Sequence, residues 1–149
     1  MDATPAITPQ EAQRMLGALA LAELFAFSVR ELGPGSCTME APFLDLFLRP
    51  GELVSGPVYM ALADAAVWVA LMTIVGPMPM AVTSELTSNF LRGAVREDVL
   101  CAARILSLEG GIAHASAQCT TRAGVVLTHH SATYSLPPRS NGLSRAGER

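Results

Sequence analysis

Helical and extended patterns of apolar residues alternate in the first third of the chain. The motif Thr8-Pro9-Gln10-Glu11 is typical of a helix start, since it places in order a capping hydroxyl, a proline at the first helical position and a capping-box carboxylate. Apolar residues then recur at helical spacing, at Met15, Leu16, Leu19, Ala20 and Leu24. Farther along, Gly33-Pro34-Gly35 predicts a turn that joins two strands, at residues 25–32 and 37–44.

The most apolar stretch of the chain, residues 58–75, has the length of a helix. Apolar side chains cover nearly every side of such a helix, so we expect it to be buried on most sides. Residues 46–57 are irregular and contain two prolines and two glycines, and Gly76-Pro77-Met78-Pro79 ends the helical stretch.

After this helix the pattern changes to the two-residue period of strands. Four runs fit that period, at residues 82–91, 98–108, 112–121 and 125–136, and the last two gaps between them are short and contain glycine. Such gaps are typical of antiparallel hairpins, so the four runs predict a meander. An antiparallel sheet curled round one buried helix is the simplest way to cover that helix. The predicted fold is therefore α+β, with the hotdog arrangement of sheet and central helix.

The length of 149 residues fits one domain. We expect a flexible N-terminus at residues 1–8, the hotdog domain at residues 9–136 and a disordered tail at residues 137–149. The tail begins at Pro137-Pro138 and is rich in Arg, Ser and Gly, a composition that does not build a core.

Half of the residues are apolar and only 15% are charged, which is more apolar surface than a small domain normally buries alone. The surplus can face a lipid bilayer or a partner subunit. A membrane-spanning helix needs about 20 consecutive apolar residues, but glycine and prolines interrupt the longest uncharged run, residues 65–84, and the run at residues 15–27 is short and contains Glu23. We therefore expect a cytoplasmic homo-oligomer, either a homodimer or a homotetramer, that does not enter a membrane.

The distribution of charged residues and of histidines argues against two further functions, nucleic-acid binding and metal binding. The net charge is −3 and no Lys/Arg cluster lies within the predicted domain, so nucleic-acid binding has no electrostatic support. His129 and His130 alternate along a strand and therefore point to opposite faces, and His114 stands alone. We expect no metal site and no cofactor. The three cysteines are far apart among small or apolar neighbours, which predicts buried, reduced thiols at Cys37, Cys101 and Cys119.

Asp64 is the most informative residue of the chain. It is the only charged side chain between Glu52 and Glu85, and it lies within the apolar helix. Removing a lone carboxylate from water costs several kcal/mol, so other groups must compensate for its burial. A structural Asp, hydrogen-bonded to the backbone or to a partner subunit, explains the position. A catalytic carboxylate in a water-poor cleft explains it as well.

Ser55-Gly56-Pro57 stands at the start of the same helix, where backbone N–H groups have no acceptor within the helix. The positive end of the helix dipole lies there and can stabilise an anion or a developing oxyanion. Gly56 would let a ligand approach the backbone closely, and Pro57 fits the first helical position. Many helices start in this way without binding a ligand.

Two motifs of the chain resemble a known family. The segment Ser55-Gly56-Pro57-Val58-Tyr59-Met60-Ala61-Leu62-Ala63-Asp64 is similar to the His-Gly-Gly-x-x-x-x-Leu-Ala-Asp signature of phenylacetyl-CoA and 4-hydroxybenzoyl-CoA thioesterases. The strand that ends in Ser88-Asn89-Phe90-Leu91-Arg92 resembles the T-x-x-L-x-x-N-F-L-R strand of that family. The two motifs occur in the family's order, and the resemblance covers about residues 10–136.

The resemblance implies an acyl-CoA thioesterase of the phenylacetyl-CoA type, which works as a homodimer or a dimer of dimers. Asp64 matches the carboxylate that acts as nucleophile or as general base on water. Gly56 matches the glycine whose N–H polarises the thioester carbonyl and faces the carboxylate of the neighbouring subunit. The resemblance also implies that Asn89 and Arg92 lie near bound CoA. Because the chain has little basic charge, we expect Arg92 and Arg104 to hold the CoA phosphates, and we expect Phe90 to contact the substrate as well. Exposed polarity at the end of a strand explains Asn89 and Arg92 equally well.

The chain departs from the signature at three positions. Ser55 replaces the signature His and can donate one hydrogen bond but cannot become cationic near neutral pH. Pro57 replaces the second Gly. Trp68 lies one turn after Asp64, where some relatives have a small hydroxyl residue, and we expect it to shape or close the acyl pocket.

Two other functions compete with thioester hydrolysis. A non-catalytic acyl-CoA-binding hotdog protein, such as a sensor or an accessory subunit, is favoured modestly by the missing signature His. A hotdog dehydratase is disfavoured, because such enzymes resemble this chain in fold but use a His near the central helix, and no His lies between Glu52 and Glu85. No Gly-x-Ser-x-Gly elbow of a serine hydrolase occurs.

Overall fold

A long apolar helix, α3 (Gly56–Val75), is the centre of the computed structural model, which describes residues 4–138. Thirteen of the 20 residues of α3 are buried, and they occupy nearly all sides of the helix. The helix is long and apolar enough to cross a membrane, but 72% of its most apolar stretch is buried inside the fold. Its apolar surface is therefore covered by the rest of the chain, as the sequence predicts for a core helix.

The remaining elements precede and follow this helix. Before it come two short helices, a 3-10 turn at Asp45–Phe47 and four strands: α1 (Pro9–Gly17), α2 (Ala20–Leu24), β1 (Ser28–Gly33), β2 (Ser36–Ala41), β3 (Leu48–Arg49) and β4 (Leu53–Val54). After it come the four strands β5 (Val82–Phe90), β6 (Val99–Glu109), β7 (Ile112–Thr120) and β8 (Val126–Ser135). The order of the long elements agrees with the pattern of apolar residues, whereas α2, the 3-10 turn and the short strands β3 and β4 were not predicted.

Six strands form one antiparallel sheet in the order β1-β2-β6-β7-β8-β5, which wraps around α3. Inward side chains alternate with outward ones, and the inward set on β6 and β7 is small, with Cys101, Ala103, Ala115, Ala117 and Cys119 all buried. Small residues let the sheet lie close to α3. This is the predicted hotdog fold.

The predicted four-strand meander is wrong in one connection. The hairpins β6–β7 and β7–β8 form as expected, but β5 pairs with β8 and not with β6. β6 pairs instead with β2 on its other side. Residues 91–98 connect β5, which lies beside β8, to β6, which lies beyond β7. Eight extended residues span this distance easily at about 3.3 Å per residue. Strand periodicity states which residues face the core, but it does not state which strand lies next to which.

The N-terminal segment also differs from the expectation of a loose lead-in. The Thr8 side chain accepts a hydrogen bond from the Glu11 N–H and completes the predicted capping box of α1. Ile7 is only 2% exposed, and the Ala6 N–H donates to the Thr73 carbonyl at 2.7 Å. The backbone of Ala6 is thus bound to the C-terminal part of α3, and the Ile7 side chain joins the core.

The predicted helical stripe at residues 15–24 is divided between two helices. α1 ends at Gly17, and α2 begins after Leu19, whose side chain gives no capping hydrogen bond. Leu16 is buried, whereas Leu19 and Leu24 are exposed. The predicted disordered tail falls almost wholly on residues 139–149, outside the described part of the chain.

Replacement of Leu71 by Ala tests the core position of α3. Leu71 is fully buried, so the variant should lose about 2–5 kcal/mol in the free energy of unfolding. Ile74→Ala on the same helix is the matched control, because Ile74 is 45% exposed, and it should lose less than about 1 kcal/mol. Urea unfolding followed by circular dichroism measures both, and equal losses would contradict the position assigned to α3.

Candidate active site

Asp64 lies on the side of α3 that faces β5 and β8, and two hydroxyl groups hold its carboxylate. Thr83 on β5 donates to Asp64 Oδ1 at 2.6 Å, and the Tyr134 hydroxyl on β8 lies 2.7 Å from the same oxygen and 3.0 Å from the Asp64 backbone carbonyl. These donors supply the compensation that burial of a lone carboxylate requires. Asp64 Oδ2 has no partner among residues 4–138 and is not fully buried. The carboxylate therefore has one anchored oxygen and one oxygen open to a ligand.

Tyr134 is 3% exposed, and its environment favours the neutral phenol. Burial, followed by the negative charge of Asp64, raises the pKa of the Tyr134 phenol well above its ordinary value of 10. Tyr134 thus remains a hydrogen-bond donor to Asp64 throughout the neutral and mildly alkaline range.

A cavity of about 510 Å³ opens beside the Asp64 carboxylate. Its walls come from α2, α3, β8 and the segment that leads into β5, and Trp68 lines it next to Asp64. The other lining residues are almost all apolar. Trp68 is therefore part of the wall beside the carboxylate.

The other candidate catalytic residue, Gly56, lies at the opposite end of the exposed side of α3. The Gly56 N–H is in the first helical turn and has no protein acceptor among the described residues. Ser55 occupies the N-cap position, but its side chain makes no capping hydrogen bond, and Pro57 is exposed. The Phe90 ring covers Gly56 closely, since a Cβ atom at position 56 would meet the ring edge at 3.4 Å. The start of α3 therefore presents a free donor beside an aromatic ring.

A second cavity, of about 350 Å³, lies at this start of α3. Gly56, Tyr59 and Phe90 line it, together with the side chains of Arg49 and Arg92. Two guanidinium groups beside a helix N-terminus suit an anionic ligand such as a phosphate. Arg92 was expected here from the sequence, whereas Arg49 was not.

The remaining sequence candidates lie elsewhere in the chain. Asn89 pairs with His129 on the face of the sheet that points away from α3. Arg104 is exposed on the same outer face, where it lines a third concavity with Gln118 and His129. A single chain therefore does not bring Asn89 and Arg104 together with Asp64 or Gly56.

Asp64 and Gly56 are also separated from one another within the chain. Eight residues of helix place them about 12 Å apart along the axis, and they line two different cavities. No single chain can apply both groups to one reacting bond.

A buried hydrogen-bond cluster lies under the first half of α3. His130 Nδ1 is 2.7 Å from Ser88 Oγ, and His130 Nε2 is 2.8 Å from Thr128 Oγ1 and 3.8 Å from Cys119 Sγ. The adjacent Cys101 thiol lowers the pKa of the Cys119 thiol below its ordinary value. All three cysteines are buried and unpaired, as expected. The cluster supports the floor beneath Phe90, whose ring packs edge-on against His130.

The described residues, 4–138, contain no group of three or more His, Cys, Asp and Glu side chains arranged to hold a metal ion. His129 is exposed and His130 is buried, so they lie on opposite faces of β8, as strand alternation predicts.

Sequence reasoning missed four polar residues of these two cavities: Thr83, Tyr134, Tyr59 and Arg49. A partial signal exists for Tyr134, which is one of only two tyrosines and falls on the inward positions of its strand together with His130 and Ala132. Thr83 gives no such signal, because its contact with Asp64 depends on where β5 lies relative to α3.

Comparisons with known proteins agree with this architecture. The family model described as the thioesterase superfamily matches residues 51–126, which include all of α3 and the strands β5 to β7. A candidate thioesterase from a Silicibacter species is 27% identical, with a TM-score of 0.81, and the match covers 93% of this chain and 97% of that one. A search of proteins with curated functions finds no match.

More distant solved structures share the fold. A thioesterase from Haemophilus influenzae is 16% identical, with a TM-score of 0.83 and coverage of 96% of this chain and 99% of the other. The PaaI protein of the phenylacetic acid degradation operon of E. coli is also 16% identical, with a TM-score of 0.76 and coverage of 88% and 94%. At these identities the likeness establishes the fold alone.

Replacement of Tyr134 by Phe tests the anchoring of Asp64. The variant leaves Asp64 Oδ1 with one donor, so the free energy of unfolding at pH 7 should fall by about 1–2 kcal/mol. At alkaline pH, in contrast, the variant should lose less stability with rising pH than the wild type does. Because the folded-state pKa of Tyr134 is raised, its contribution to stability is complete below about pH 10, the unfolded pKa, and is lost at higher pH.

The variant should therefore lose less stability than the wild type between pH 9 and pH 11, as urea unfolding at each pH measures. A wild type and a variant with parallel pH dependence would contradict the buried contact between Tyr134 and Asp64.

Proposed function

Because the chain belongs to the thioesterase superfamily, we propose that it is an acyl-CoA thioesterase of the PaaI-like type. It hydrolyses the thioester of an apolar or aromatic acyl-CoA to the free acid and CoA. The observation that carries this proposal is the geometry at Asp64, whose Oδ1 is held by two hydroxyls and which lines a cavity of mostly apolar residues. A carboxylate that is fixed in position and partly freed of water is suited to act at an acyl carbon.

Two roles for Asp64 fit this geometry. As a general base, Oδ2 takes a proton from water while the water oxygen bonds to the acyl carbon. As a nucleophile, Oδ2 itself bonds to the acyl carbon, and water then cleaves the resulting anhydride. In both routes the carbon–sulfur bond breaks and the CoA sulfur leaves as a thiolate that takes up a proton.

The Gly56 N–H is the proposed oxyanion donor. It is free of protein acceptors in the described chain and lies at the positive end of the α3 dipole. A donor that is already in place when the carbonyl oxygen gains charge is worth about 3–4 kcal/mol in comparable enzymes. Ser55 and Pro57 flank this donor and would contact the substrate near the thioester.

The site needs two copies of the chain, since Asp64 and Gly56 of one copy lie about 12 Å apart along α3. The β5 edge of the sheet has no partner strand among residues 4–138, and exposed apolar residues flank it at Met80, Val82, Phe90 and Leu91. The other edge is less free, because the Gln13 side chain accepts the Val29 N–H of β1 at 2.8 Å. We therefore place the homodimer contact at β5, with strand pairing between two copies.

The exposed side of α3 adjoins this edge and supports the same contact. Pro57, Met60, Ala61 and Asp64 follow one another at helical spacing and are the residues of the first two turns that remain partly or fully exposed, apart from Gly56 at the helix start. A second copy on this face would cover the stripe and bring its own Gly56 towards Asp64. The outer face of the sheet stays free in this dimer and is available for a contact between two dimers.

CoA is the proposed thiol carrier. Arg49 and Arg92 at the Gly56 cavity offer paired N–H donors to its phosphates. Phe90 offers an aromatic face in the same cavity. Asn89 and Arg104, on the outer face, would contribute only from another copy of the chain. Three buried free thiols support a cytoplasmic location.

A non-catalytic acyl-CoA-binding protein is the second candidate. It is favoured by Ser55, which replaces the signature His and makes no capping hydrogen bond. Binding of an acyl-CoA without release of CoA would distinguish it from the hydrolase. A dehydratase is disfavoured, since no histidine lines the cavity at Asp64 in the described chain.

Asp64→Asn tests the catalytic role directly. The amide keeps the shape of the side chain but is neither a base nor an effective nucleophile, so turnover should fall by at least about a thousandfold. Release of free thiol from phenylacetyl-CoA and hexanoyl-CoA, detected with a chromogenic thiol reagent, measures it. Glu109→Gln, at the exposed end of β6, is the control and should leave the rate unchanged. An Asp64→Asn variant as active as the wild type would contradict the proposed role of Asp64.

Mixing two inactive variants tests the shared site. Gly56→Val blocks the donor with methyl groups and presses on the Phe90 ring, while Asp64→Asn removes the carboxylate. A mixed dimer retains one intact site, so a 1:1 mixture that exchanges subunits should recover about a quarter of the wild-type rate. Sedimentation equilibrium should give twice the mass of the chain for each variant. Dimers that exchange subunits without any recovery would show that Asp64 and Gly56 do not act across the interface.

A further inference from the structure

Two of the three cysteines, Cys101 and Cys119, lie directly opposite one another in the sheet, and the proposed reaction uses neither. Cys101 on β6 is the register partner of Cys119 on β7, and both side chains are fully buried. Cys37 on β2 has no cysteine directly opposite it on β1 or on β6. The chain thus contains one pair of facing thiols and a third thiol that offers a comparison.

The alternation of hydrogen bonds along β6 sets how closely the two facing residues approach. Residues of an antiparallel strand direct their backbone groups alternately to one neighbouring strand and to the other. The Ile105 N–H donates to the Gly35 carbonyl at 2.8 Å, on the β2 side of β6. Cys101 lies four residues earlier in the same regular register, so its backbone groups also point to β2. Cys101 and Cys119 are therefore a non-hydrogen-bonded pair, in which opposite side chains lie closest together.

This arrangement fits the geometry of a disulfide. Opposite residues of a non-hydrogen-bonded pair have their Cα atoms about 4.5 Å apart, and disulfides join Cα atoms that are about 4.4–6.8 Å apart. Cys37 is only a diagonal neighbour of Cys101, since its register partner is Ala103. Diagonal neighbours lie about 7–8 Å apart, so a bond between Cys37 and Cys101 would require movement of the backbone.

The acidity of the thiols indicates which of them reacts first. The Cys101 thiol lowers the pKa of Cys119 most, and a hydrogen bond with His130 lowers it further. Burial raises the pKa of Cys37 to about 12. Because the thiolate is the reactive form of cysteine, Cys119 is the better nucleophile.

Cys119 also lies near a weak point of the sheet. The register between β7 and β8 shifts between Cys119 and Thr120, and an exposed turn follows at residues 122–125. Ladder irregularities and exposed turns are places where a sheet opens locally. A small oxidant can reach the thiol during such an opening, although the closed sheet covers it.

We propose that Cys101 and Cys119 are an oxidative modification site, which closes to a cross-strand disulfide when the protein meets hydrogen peroxide. The Cys119 thiolate attacks one peroxide oxygen, the O–O bond breaks, and the products are a sulfenic acid and, after protonation, water. The Cys101 sulfur then attacks the sulfenic sulfur, and the hydroxyl group leaves as water. Two thiols and one peroxide molecule thus yield one disulfide and two water molecules.

Closure of the disulfide changes the contacts beneath the start of α3. Cys119 Sγ lies 3.9 Å from the Tyr59 carbonyl and 3.8 Å from His130 Nε2. His130 in turn packs against the Phe90 ring, beside the proposed oxyanion donor. A bond to Cys101 turns the Cys119 sulfur towards β6 and removes the hydrogen that it donates to the Tyr59 carbonyl. We therefore expect slower turnover in the oxidised protein, and this consequence alone rests on the proposed thioesterase function.

Peptide mapping tests the disulfide without any assay of function. The folded protein is treated with hydrogen peroxide, the remaining thiols are alkylated in denaturant, and trypsin cleaves after arginine. Cys101, Cys119 and Cys37 then fall on separate peptides, at residues 97–104, 105–122 and 31–92, since trypsin does not cleave before Pro50. The expected product is peptide 97–104 joined to peptide 105–122, with Cys37 alkylated. Absence of this joined peptide would overturn the proposal.

Two variants are matched controls for the treated wild type. Cys37→Ala retains the facing pair and should lose both of its thiols on treatment. Cys119→Ala retains Cys37 and Cys101, which do not face each other, and should form no disulfide within the chain. A disulfide between Cys37 and Cys101 in the second variant would contradict the role assigned to the facing geometry.

Turnover before and after oxidation tests the consequence for the site. Hydrolysis of hexanoyl-CoA, followed by the loss of thioester absorbance, should slow at least about threefold in the oxidised wild type, because small displacements of catalytic groups are costly. Dithiothreitol should restore the rate, and the same treatment should leave the rate of Cys119→Ala unchanged.

The outcomes separate this inference from the proposed function. A joined peptide in a protein that hydrolyses no acyl-CoA would retain the modification site and contradict the thioesterase. Hydrolysis at an unchanged rate in protein that contains the disulfide would contradict the link between the pair and the start of α3.

Discussion

The fold depends on the burial of one apolar helix that carries a single carboxylate. α3 is apolar on nearly all sides, so the six-stranded sheet must curl round it, and small residues on β6 and β7 allow the close approach. Asp64 interrupts this apolar surface where the sheet does not close. Its charge is tolerated because Thr83 and Tyr134 donate to one oxygen, and the residue lies at the wall of a cavity and not in the closed core. The same interruption of the apolar helix places the carboxylate that we propose as the reactive group of the site.

Incomplete coverage of α3 links the fold to the proposed oligomer. The helix exposes a narrow stripe from Pro57 to Asp64 beside the unpaired β5 edge, where apolar side chains remain exposed. A second copy that adds its own β5 would cover this surface, and the apolar surplus of the composition would then be accounted for. Within one chain, the proposed oxyanion donor and the carboxylate lie in separate cavities, so the proposed reaction requires a second copy.

Each of the two cavities suits a different part of the proposed substrate. The cavity at Gly56 combines guanidinium groups of Arg49 and Arg92 with a helix N-terminus, which suits the phosphates of CoA. The cavity at Asp64 is uncharged apart from the carboxylate and suits an apolar acyl group. We place the thioester bond between the two cavities. Its carbonyl oxygen would then lie near the positive helix end at Gly56, and the attacking group would lie at the negative carboxylate of Asp64.

The sequence alone determined the long elements and pointed to Asp64 and Gly56 as candidates, because helical and strand periods, caps and a lone charge in an apolar run are local signals. Thr8 capped α1, the 58–75 run formed α3, and two glycine-containing gaps formed hairpins. Only the tertiary structure decided that β5 lies beside β8, and with it which residues reach Asp64. Thr83 and Tyr134 are 19 and 70 residues away along the chain, and no local pattern encodes a contact between strands that depends on sheet order. For the same reason Asn89 and Arg104, which looked suitable in sequence, lie on the outer face of the sheet, while Arg49 and Leu21 lie at the cavities.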